Sequence, residues 1–390
     1  MMMGKKLIFG LLISYCFSII AIQDQLNILF VVHYFPSLSQ IYIVNLMTSL
    51  IDRGHNVSIF SVRKNEVHEN LPPNIEKYRL LDRVTYENFP DPLPDADIVF
   101  CQFGGFGKTV FEIPNLSEWL QQRKVVVCLR GLDIVEYSKN DSFVNKKIFE
   151  QVDLFLPVCD YFKQQLLSLG CPLKKIAVHH SVIDCAQFFF RERIKPIKDN
   201  VIEFISVCRL VKKKGLDYAL QAIAKVAQKY PHIHYTIVGD GPEYKNLKDL
   251  TRQLKLQKKV TFCGWKDHKA IVSLLDKSHI FLLPSITPKN GNKEGIANSL
   301  KEAMAMGLIS IGTLHAGTPE LIDNGVSGFL VPEKDVSELV RIIHYIIKHP
   351  EEWKSWGRAA RKKIEDEFEI KKSAEKLERL FYNLLGRPLI

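Results

Sequence analysis

Short apolar runs alternate with amphipathic segments along most of the chain from Asn27 onward. The run NILFVVH is apolar on both faces, as in a strand buried in a parallel sheet, and IYIVNLMTSLIDRG has the periodicity of a helix that ends at Gly54. Asp160 is expected to cap the helix YFKQQLLSL, which Gly170 follows. Further apolar runs predict strands at NVSIF, DIVFCQF, VVVCLRG, DLFLPV and KIAVHH. Strands that alternate with helices indicate a parallel sheet covered by helices.

The same alternation restarts after a charged, proline-containing stretch. Apolar runs at IEFISVCRL, IHYTIVGDG, KVTFCGW, HIFLLPS and LISIGT predict strands, with amphipathic helices between them. The sequence therefore predicts an α/β protein with two doubly wound, Rossmann-like halves and a ligand cleft between them. The expected divisions are an apolar segment at 1–26, a first domain at 27–185, a linker at 186–200, a second domain at 201–365, and a C-terminal helix at 366–390 that packs back toward the first domain.

Length and composition agree with two globular domains. The chain has 390 residues, of which 46% are apolar and 25% charged, more than one hydrophobic core usually supports. Its net charge of +10 lies entirely in the second half, because residues 1–190 carry 18 Lys and Arg against 19 Asp and Glu, and residues 191–390 carry 35 against 24. A basic half can attract phosphate-bearing ligands, an anionic membrane surface or nucleic acid, and charge alone does not choose among them. Nucleic acid ranks last, because no nucleic-acid-binding motif is present.

The cysteines and the N-terminus bear on the compartment, and they point in different directions. The eight cysteines form no C-x-x-C pair and no zinc-spaced set with histidine, which favours buried reduced thiols. Leu7 to Ile22 is apolar and follows two lysines, so it resembles a secretory signal or a short membrane anchor; a wrongly assigned start is the third alternative. We expect a cytoplasmic protein at the inner face of the membrane, with a secreted or anchored form left open.

Two motifs resemble known sites but lack an essential feature. GGFGKT at 104–109 lacks the first glycine of a P-loop, because Gln102 stands where that glycine is required. The Asp95–Asp97 stretch, DAD, precedes a predicted strand, where polar turn residues are common, and we interpret it as a turn. No metal site is predicted.

The stretch NKEGIANSLKEAMAMG holds two glutamates, Glu294 and Glu302. On one regular helix they would lie about 80° apart and about 12 Å along the axis, so they would not share a face. Gly295 favours a turn, with the helix starting near Ile296 or Ala297, which leaves Glu294 ahead of the helix and Glu302 inside it. The N–H groups between them would suit a phosphate. An ordinary amphipathic helix with Glu302 facing solvent is the alternative.

Two further elements make the first interpretation stronger. In SVCRLVKKKG, Arg209 follows an apolar strand and Lys214 precedes a helix, so both can face the cleft and neutralise a diphosphate, whereas Lys212 and Lys213 are expected in solvent. In IVGDGPE, glycines in a turn after a strand would let the backbone approach a flat base, although a plain turn explains them as well.

RLVKKKG, VGDGPE, EGIANSLKEAMAMG and GTPELIDNGVSGFLV, in this order, resemble the C-terminal domain of the retaining family 4 (group 1) GT-B glycosyltransferases. LRGLDI and DLFLPVCDYFKQQLLSLGCPLKKIAVHHSVID are similar to the branch that builds colanic acid and related exopolysaccharides. The resemblance implies a GT-B fold with an acceptor-binding first domain and a nucleotide-sugar-binding second domain. It also implies retention of the anomeric configuration without a metal or other cofactor.

The resemblance assigns roles to matching positions. Glu294 would contact the donor sugar and Glu302 the ribose. Arg209 and Lys214 would hold the diphosphate together with the backbone of Gly295, Ile296 and Ala297. Arg130 and Asp133 would face the donor sugar and the acceptor. The remaining substrate-binding candidates are a turn beside the base and one residue of the acceptor-side loop: Gly239, Asp240, Gly241, Pro242 and Ser39.

Three positions depart from the pattern of the family. Gln40 stands where many relatives have glutamate, which leaves the acceptor open, and Val182 and Cys208 replace glycines. We expect transfer of a hexose-type sugar from a UDP- or GDP-linked donor to a polysaccharide or lipid-linked oligosaccharide, in exopolysaccharide or lipopolysaccharide synthesis. The alternatives are a non-catalytic scaffold that binds nucleotide sugar, and a GT-B epimerase or phosphorylase.

Overall fold

The computed structural model describes most of the chain, namely residues 25–37, 40–64, 71–89, 91–103, 116–137, 142–196 and 201–388. We call the described residues up to 196 the N-terminal half and residues 201–388 the C-terminal half. Ser39, the stretch GGFGKT and the apolar segment up to residue 24 lie outside the described residues.

The described part of the N-terminal half contains a six-stranded parallel sheet in the order β3-β2-β1-β4-β5-β6. Its strands are β1 Asn27–Phe35, β2 Asn56–Lys64, β3 Val84–Tyr86, β4 Ile98–Cys101, β5 Lys124–Leu129 and β6 Leu154–Pro157. The helices are α1 Ile41–Asp52, α2 Pro73–Lys77, α3 Ser117–Gln121, α4 Leu132–Tyr137, α5 Ser142–Gln151 and α6 Asp160–Ser168. Both central strands, β1 and β4, are buried along nearly their whole length, as their apolar runs predict.

The described C-terminal half repeats this topology in the order β12-β11-β10-β7-β8-β9. Its strands are β7 Ile202–Val207, β8 Ile233–Val238, β9 Val260–Gly264, β10 Ile280–Leu282, β11 Ile309–Thr313 and β12 Phe329–Val331. The helices are α7 Leu216–Lys229, α8 Tyr244–Gln253, α9 His268–Lys277, α10 Asn298–Ala305, α11 Thr318–Leu321, α12 Val336–Lys348, α13 Trp353–Glu367 and α14 Ile370–Leu385. The prediction of two doubly wound sheets is confirmed.

The strand order fixes where a ligand can bind. In each half the order reverses direction between two neighbouring strands, β1 and β4 in one sheet and β7 and β10 in the other. Ligands of doubly wound sheets bind beyond the carboxyl ends of the strands at such a reversal. The segments that follow β7 and β10 carry Arg209, Lys214 and Glu294, so the topology brings these three to one edge.

The predicted strand KIAVHH is wrong in its extent. Ile176 forms a single bridge with Phe155, and the N–H groups of Ala177 and His179 donate to carbonyls of β6. The pairing goes no further because β6 is only four residues long and ends at Pro157, which has no backbone N–H to donate to the neighbouring segment.

The first N–H groups of helix α6 donate to a residue of the other half. The N-cap position is Cys159, whose side chain makes no capping hydrogen bond, so the expectation that Asp160 caps the helix is wrong. The carboxylate of Glu320, in α11, accepts the N–H of Asp160 at 2.9 Å and also contacts the ring of His180 at 3.2 Å. The N–H groups that begin α6 are therefore satisfied by a carboxylate of the other half.

The last helix returns to the N-terminal half. Phe368 and Glu369 interrupt the long helical stretch, and α14 then packs on α1. The fully buried carboxylate of Glu378 bonds to Arg53 and lies 2.9 Å from Nε2 of His55. One apolar cluster consequently contains the first sheet, part of the second half and the aromatic side chains of α14.

Two compartment indicators can be compared with the structure. Five of the cysteines in the described ranges are buried free thiols, and Cys208 and Cys263 are partly buried free thiols. Within the same ranges, no helix combines the length and the apolar character that crossing a bilayer requires.

Candidate active site

The loop that enters α10 places the two glutamates as predicted. Ala297 is the N-cap and Asn298 the first residue of α10, so Glu294 precedes the helix and Glu302 lies just beyond its first turn. Among the described residues, the backbone N–H groups of Gly295, Ile296 and Ala297 have no acceptor. They form, with the helix N-terminus, a cluster of unsatisfied donors suited to an anion.

The carboxylate of Glu294 is held by two lysines that follow β7. Its Oε2 lies 2.6 Å from Nζ of Lys214 and 3.4 Å from Nζ of Lys213. Burial acts to raise the pKa of Glu294, but the two ammonium groups outweigh it and bring that pKa down to about 2. Glu294 is therefore a carboxylate at every physiological pH.

The expectation that Lys213 lies in solvent is wrong. Its side chain is 15% exposed, and besides Glu294 it reaches Oδ1 of Asn292 at 3.4 Å. Lys212, in contrast, is 57% exposed and pairs with Asp217 on the outer side. Residues 212–214 form a 3-10 turn, which sends the middle and last side chains inward and the first outward. Spacing in the sequence does not reveal such a turn.

A second chain of contacts fixes the backbone of Glu294. Its N–H donates to Nε2 of the fully buried His315 at 2.9 Å, so Nδ1 of His315 carries the proton and donates to Glu333 at 2.6 Å. Burial lowers the pKa of His315, although Glu333 acts in the opposite sense. Glu333 also accepts the backbone N–H of Thr287, so both ends of the loop between Thr287 and Glu294 are anchored. Sequence reasoning did not identify this relay.

The turn that was predicted to lie beside the base, Gly239 to Pro242, is tightly packed. Gly239 has φ +128, and a β-carbon there would come within 1.9 Å of the carbonyl oxygen of Cys208. The turn is joined to the strand-end segment by hydrogen bonds from Leu210 N to Asp240 O and from Glu243 N to Leu210 O. Close backbone packing therefore explains Gly239 without a ligand, and a base beside this turn stays a prediction.

Arg209 is exposed at the cleft edge of this segment. Burial is the main cause that lowers the pKa of Lys213, and the nearby charges of Lys214 and Arg209 lower it further, whereas Glu294 raises it. Lys213 and Lys214 both contact Glu294, and Arg209 lies close enough to Lys213 to form one cationic group with the two lysines. The remaining positive charge favours an anionic ligand.

Arg130 approaches the site from the end of β5. Its guanidinium lies 4.4 Å from the ring centroid of Tyr42 and donates to Oε1 of Gln102 at 3.0 Å. Burial raises the pKa of Tyr42, the Arg130 guanidinium lowers it, and Glu294 of the other half is among the charges that raise it. Nε of Arg130 and Nε2 of the fully buried Gln102 have no acceptor among the described residues. Gln102 was not predicted to be a site residue.

Asp133 is buried, and its carboxylate accepts several backbone N–H groups. The donors are Arg130, Gly131 and Ile134, at distances from 2.7 to 3.1 Å. Asp133 thereby fixes the turn that carries Arg130 and the start of α4. A direct contact of Asp133 with substrate stays a prediction.

The two halves touch at the loop before α10. A β-carbon on Gly295 would lie 2.8 Å from Cγ2 of Val158 and 3.2 Å from a ring carbon of Phe162. Glycine at 295 is therefore required by the approach of the N-terminal half. Ile296 and Ala297 are buried behind it.

Lys301 and its neighbour Glu302 are ionisable residues of α10, the first fully buried and the second partly exposed. Burial raises the pKa of Glu302 to about 7, and Lys301 only partly offsets this. Lys301 is fully buried and bonds to Ser181 of the N-terminal half. Only one signal in the sequence pointed to Lys301, a cation on the apolar face of a helix between Leu300 and Met304.

A family model described as "Glycosyl transferases group 1" matches residues 188–363. A putative colanic acid biosynthesis glycosyltransferase of Salmonella typhimurium is 29% identical over 356 residues, covering 78% of this chain and 86% of the relative. An amylovoran biosynthesis glycosyltransferase of Erwinia amylovora is 34% identical over 294 residues, covering 73% and 70%.

Solved structures agree in fold. The Anabaena protein HepE in complex with UDP superposes with a TM-score of 0.72 at 16% identity, covering 92% of this chain and 100% of that one. A sucrose-phosphate synthase from Thermosynechococcus elongatus gives a TM-score of 0.73 at 16% identity, covering 93% and 100%. At these identities the likeness concerns the fold alone.

Proposed function

The chain belongs to the glycosyl transferases group 1 family, and from this premise we propose that it moves a hexose-type sugar from a nucleoside diphosphate donor to a saccharide acceptor. It is a glycosyltransferase of a family that retains the anomeric configuration and needs no metal. The proposal concerns the substrates and the residues that handle them.

The donor is proposed to bind in the C-terminal half. The unsatisfied N–H groups of Gly295, Ile296 and Ala297 would hold the diphosphate, with Arg209 and Lys214 on its other side. Glu302 would accept the ribose hydroxyls, and Glu294 a hydroxyl of the sugar. The Anabaena neighbour was crystallised with UDP, which favours a UDP-linked donor; a GDP-linked donor is the alternative.

The proposed reaction takes place on one face of the sugar. The bond from the anomeric carbon to the distal phosphate oxygen breaks, and the acceptor oxygen forms its bond to that carbon on the same face. The departing phosphate oxygen takes the proton of the acceptor hydroxyl, so atoms and charge balance. Negative charge grows on the leaving diphosphate, and stabilisation of this charge by the Lys213, Lys214 and Arg209 group is the main catalytic effect we expect.

The acceptor is proposed to bind to the N-terminal half. Nε of Arg130 and Nε2 of Gln102 are buried there without an acceptor among the described residues, and such N–H groups suit hydroxyl oxygens of a saccharide. The Salmonella and Erwinia relatives are named for colanic acid and amylovoran synthesis, which favours a growing exopolysaccharide, free or lipid-linked. Lipopolysaccharide synthesis is the second candidate.

The pairing of Lys214 with Glu294 next to an unsatisfied helix N-terminus is the single observation that carries the proposal. The test is release of free nucleotide and transfer from a panel of UDP- and GDP-sugars by wild type, Glu294→Gln and Arg209→Ala. We expect turnover of one donor by wild type and a loss of about a hundredfold or more in both variants. Equal turnover by all three would refute the proposed site.

A matched control comes from a carboxylate outside the cleft. Glu192 also pairs with two cations, Arg358 and Lys354, at the surface of the linker. Glu192→Gln should keep wild-type turnover, which separates loss of chemistry from loss of a salt bridge. A scaffold without catalysis would instead show a rise in melting temperature with a donor and no release.

A further inference from the structure

Lys301 is a fully buried lysine in a helix that the proposed function assigns to the donor. It lies in the first turn of α10, where a cation opposes the helix dipole, and its side chain is 0% exposed. Lysine is almost never fully buried unless its ammonium is paired with a carboxylate. This position therefore needs an explanation.

The ammonium of Lys301 reaches the other half of the protein. It donates to the carbonyl oxygen of Ser181 and, at 2.8 Å, to Oγ of Ser181. Oγ of Ser181 in turn donates to Oδ1 of Asn298, the first residue of α10, at 3.5 Å. Lys301 and Asn298 thus join the beginning of the helix to a single residue of the N-terminal half.

These two contacts bring no negative charge to the ammonium of Lys301. No carboxylate lies within 4 Å of its ammonium in the ranges that the structure covers. The charged groups that act on it are Arg130 at the end of β5, Glu302 on the same helix and Glu294 on the loop before it. Burial and then Arg130 lower the pKa of Lys301 to about 7, and the two glutamates oppose this shift.

We propose that Lys301 is a positioning residue that fixes the donor-binding end of α10 to Ser181, and that an anionic diphosphate bound at this end compensates its buried charge. The inference rests on the proposed function, since it uses the same diphosphate. Lys301 does not touch the reacting atoms. It acts by holding the helix N-terminus against the N-terminal half and by favouring a ligand of negative charge.

The sign of the pH dependence follows from linkage. A bound diphosphate favours protonated Lys301 and raises its pKa, so binding takes up a proton at pH values just above 7. Affinity for the diphosphate should therefore fall as pH rises from about 7 to 9, by about tenfold for each unit that the ligand adds to the pKa. The pKa of Lys301 is lower in the folded protein than in the unfolded chain, so at any pH below the unfolded pKa its charge makes folding less favourable. Removing this charge should therefore stabilise the folded, ligand-free protein.

The test compares wild type with Lys301→Met, using UDP and GDP as probes. Calorimetric titrations at pH 6.5, 7.5 and 8.5, in buffers of different ionisation enthalpy, give affinity and proton uptake. Protonation of the diphosphate affects binding to both proteins equally. The ratio of their affinities at each pH therefore reports the contribution of Lys301 alone. We expect weaker binding by Lys301→Met at pH 6.5, by about tenfold, and a ratio that approaches one at pH 8.5.

A second readout separates this role from simple packing. Lys301→Met should raise the melting temperature of the ligand-free protein at pH 6.5, whereas loss of a merely structural contact would lower it. Lys301→Gln provides the same comparison if the methionine variant does not fold. An affinity ratio that does not change with pH, or a lower melting temperature with wild-type affinity, overturns the proposal.

The failure of the proposed function would look different. If wild type binds a nucleoside diphosphate with the expected proton uptake but transfers no sugar, the inference about Lys301 stands and the transferase reaction does not. If neither UDP nor GDP binds, the inference is overturned. In that case donor turnover by wild type is the separate measurement that decides the proposed function.

Discussion

The ammonium of Lys214 lies 2.6 Å from Oε2 of Glu294, although the two residues come from segments that follow different strands, β7 and β10. Both segments leave the sheet at the strand reversal of the C-terminal half, so the fold itself brings the carboxylate and the cation together. A preformed pair of this kind holds the carboxylate and the cation in place without a reorganisation cost at the moment of reaction.

The turn at residues 212–214 offers a comparison of two lysines. Lys214→Met removes the cation bonded to Glu294 and should reduce kcat/KM by about a hundredfold, because a growing diphosphate charge loses a preorganised partner. Lys212→Met removes an exposed cation from the same turn and should change kcat/KM by less than about twofold. Steady-state kinetics with the preferred donor measures both. Similar losses in the two variants would contradict the assignment.

Acid should destabilise the protein through Glu294. The pKa of this carboxylate is about 2 in the folded protein against 4.5 for the ordinary group, so its contribution is present above pH 4.5 and is lost as pH falls toward 2. The full contribution is about 3 kcal/mol at most. Urea unfolding between pH 6 and pH 3.5 should show a smaller fall in the free energy of unfolding for Glu294→Gln than for wild type. Parallel curves for the two proteins would refute this expectation.

Glu320 should matter for turnover as well as for stability. Glu320→Ala removes the cap that the C-terminal half supplies to α6, at a cost of about 1 kcal/mol in the free energy of unfolding. Asp335→Ala removes the cap of α12, which lies entirely within the C-terminal half, at a similar cost. Only Glu320→Ala should lower kcat, by about tenfold, because the alignment of the two halves affects the reacting groups. An unchanged kcat would show that Glu320 caps α6 without affecting the alignment of the reacting groups.

Glu378 should be critical for folding and not for chemistry. Its carboxylate is fully buried and bonds to Arg53 and His55, so Glu378→Gln removes a charged acceptor from both and should cost about 2 kcal/mol. Glu375→Gln, on the same helix, breaks an exposed pair with Arg379 and should cost less than about 0.5 kcal/mol. Urea unfolding midpoints give both values. Equal midpoints for the two variants would contradict a buried ion pair.

Periodicity and local punctuation were sufficient to predict the sheets and the start of α10. The apolar runs of β1, β4 and β7 are buried strands because their sequences leave no polar face, and Gly295 marks the point where the chain turns before the helix. These features depend on residues within one turn or one strand of each other. The interior KIAVHH run was the exception, since its extent depended on the length of β6.

The contacts that complete the site could not be predicted in this way. Lys301 bonds to Ser181, Glu320 to the start of α6, and His315 to the backbone of Glu294, and in each case the partners are well separated in the sequence. The first two contacts join the two halves and the third joins two loops of the C-terminal half, and periodicity encodes neither kind of placement. A polar residue on an apolar face, as at Lys301, indicates only that a partner must exist.

The return of α14 to the first half has a consequence for how such enzymes can be recombined. The helix leaves the C-terminal half after Phe368 and places the aromatic ring of Phe381 5.5 Å from that of Phe100, inside the first core. A C-terminal half exchanged with that of a relative at the linker alone would import a foreign last helix and leave that core mismatched. A functional chimaera therefore needs two crossovers, one in the linker and one at the break between α13 and α14.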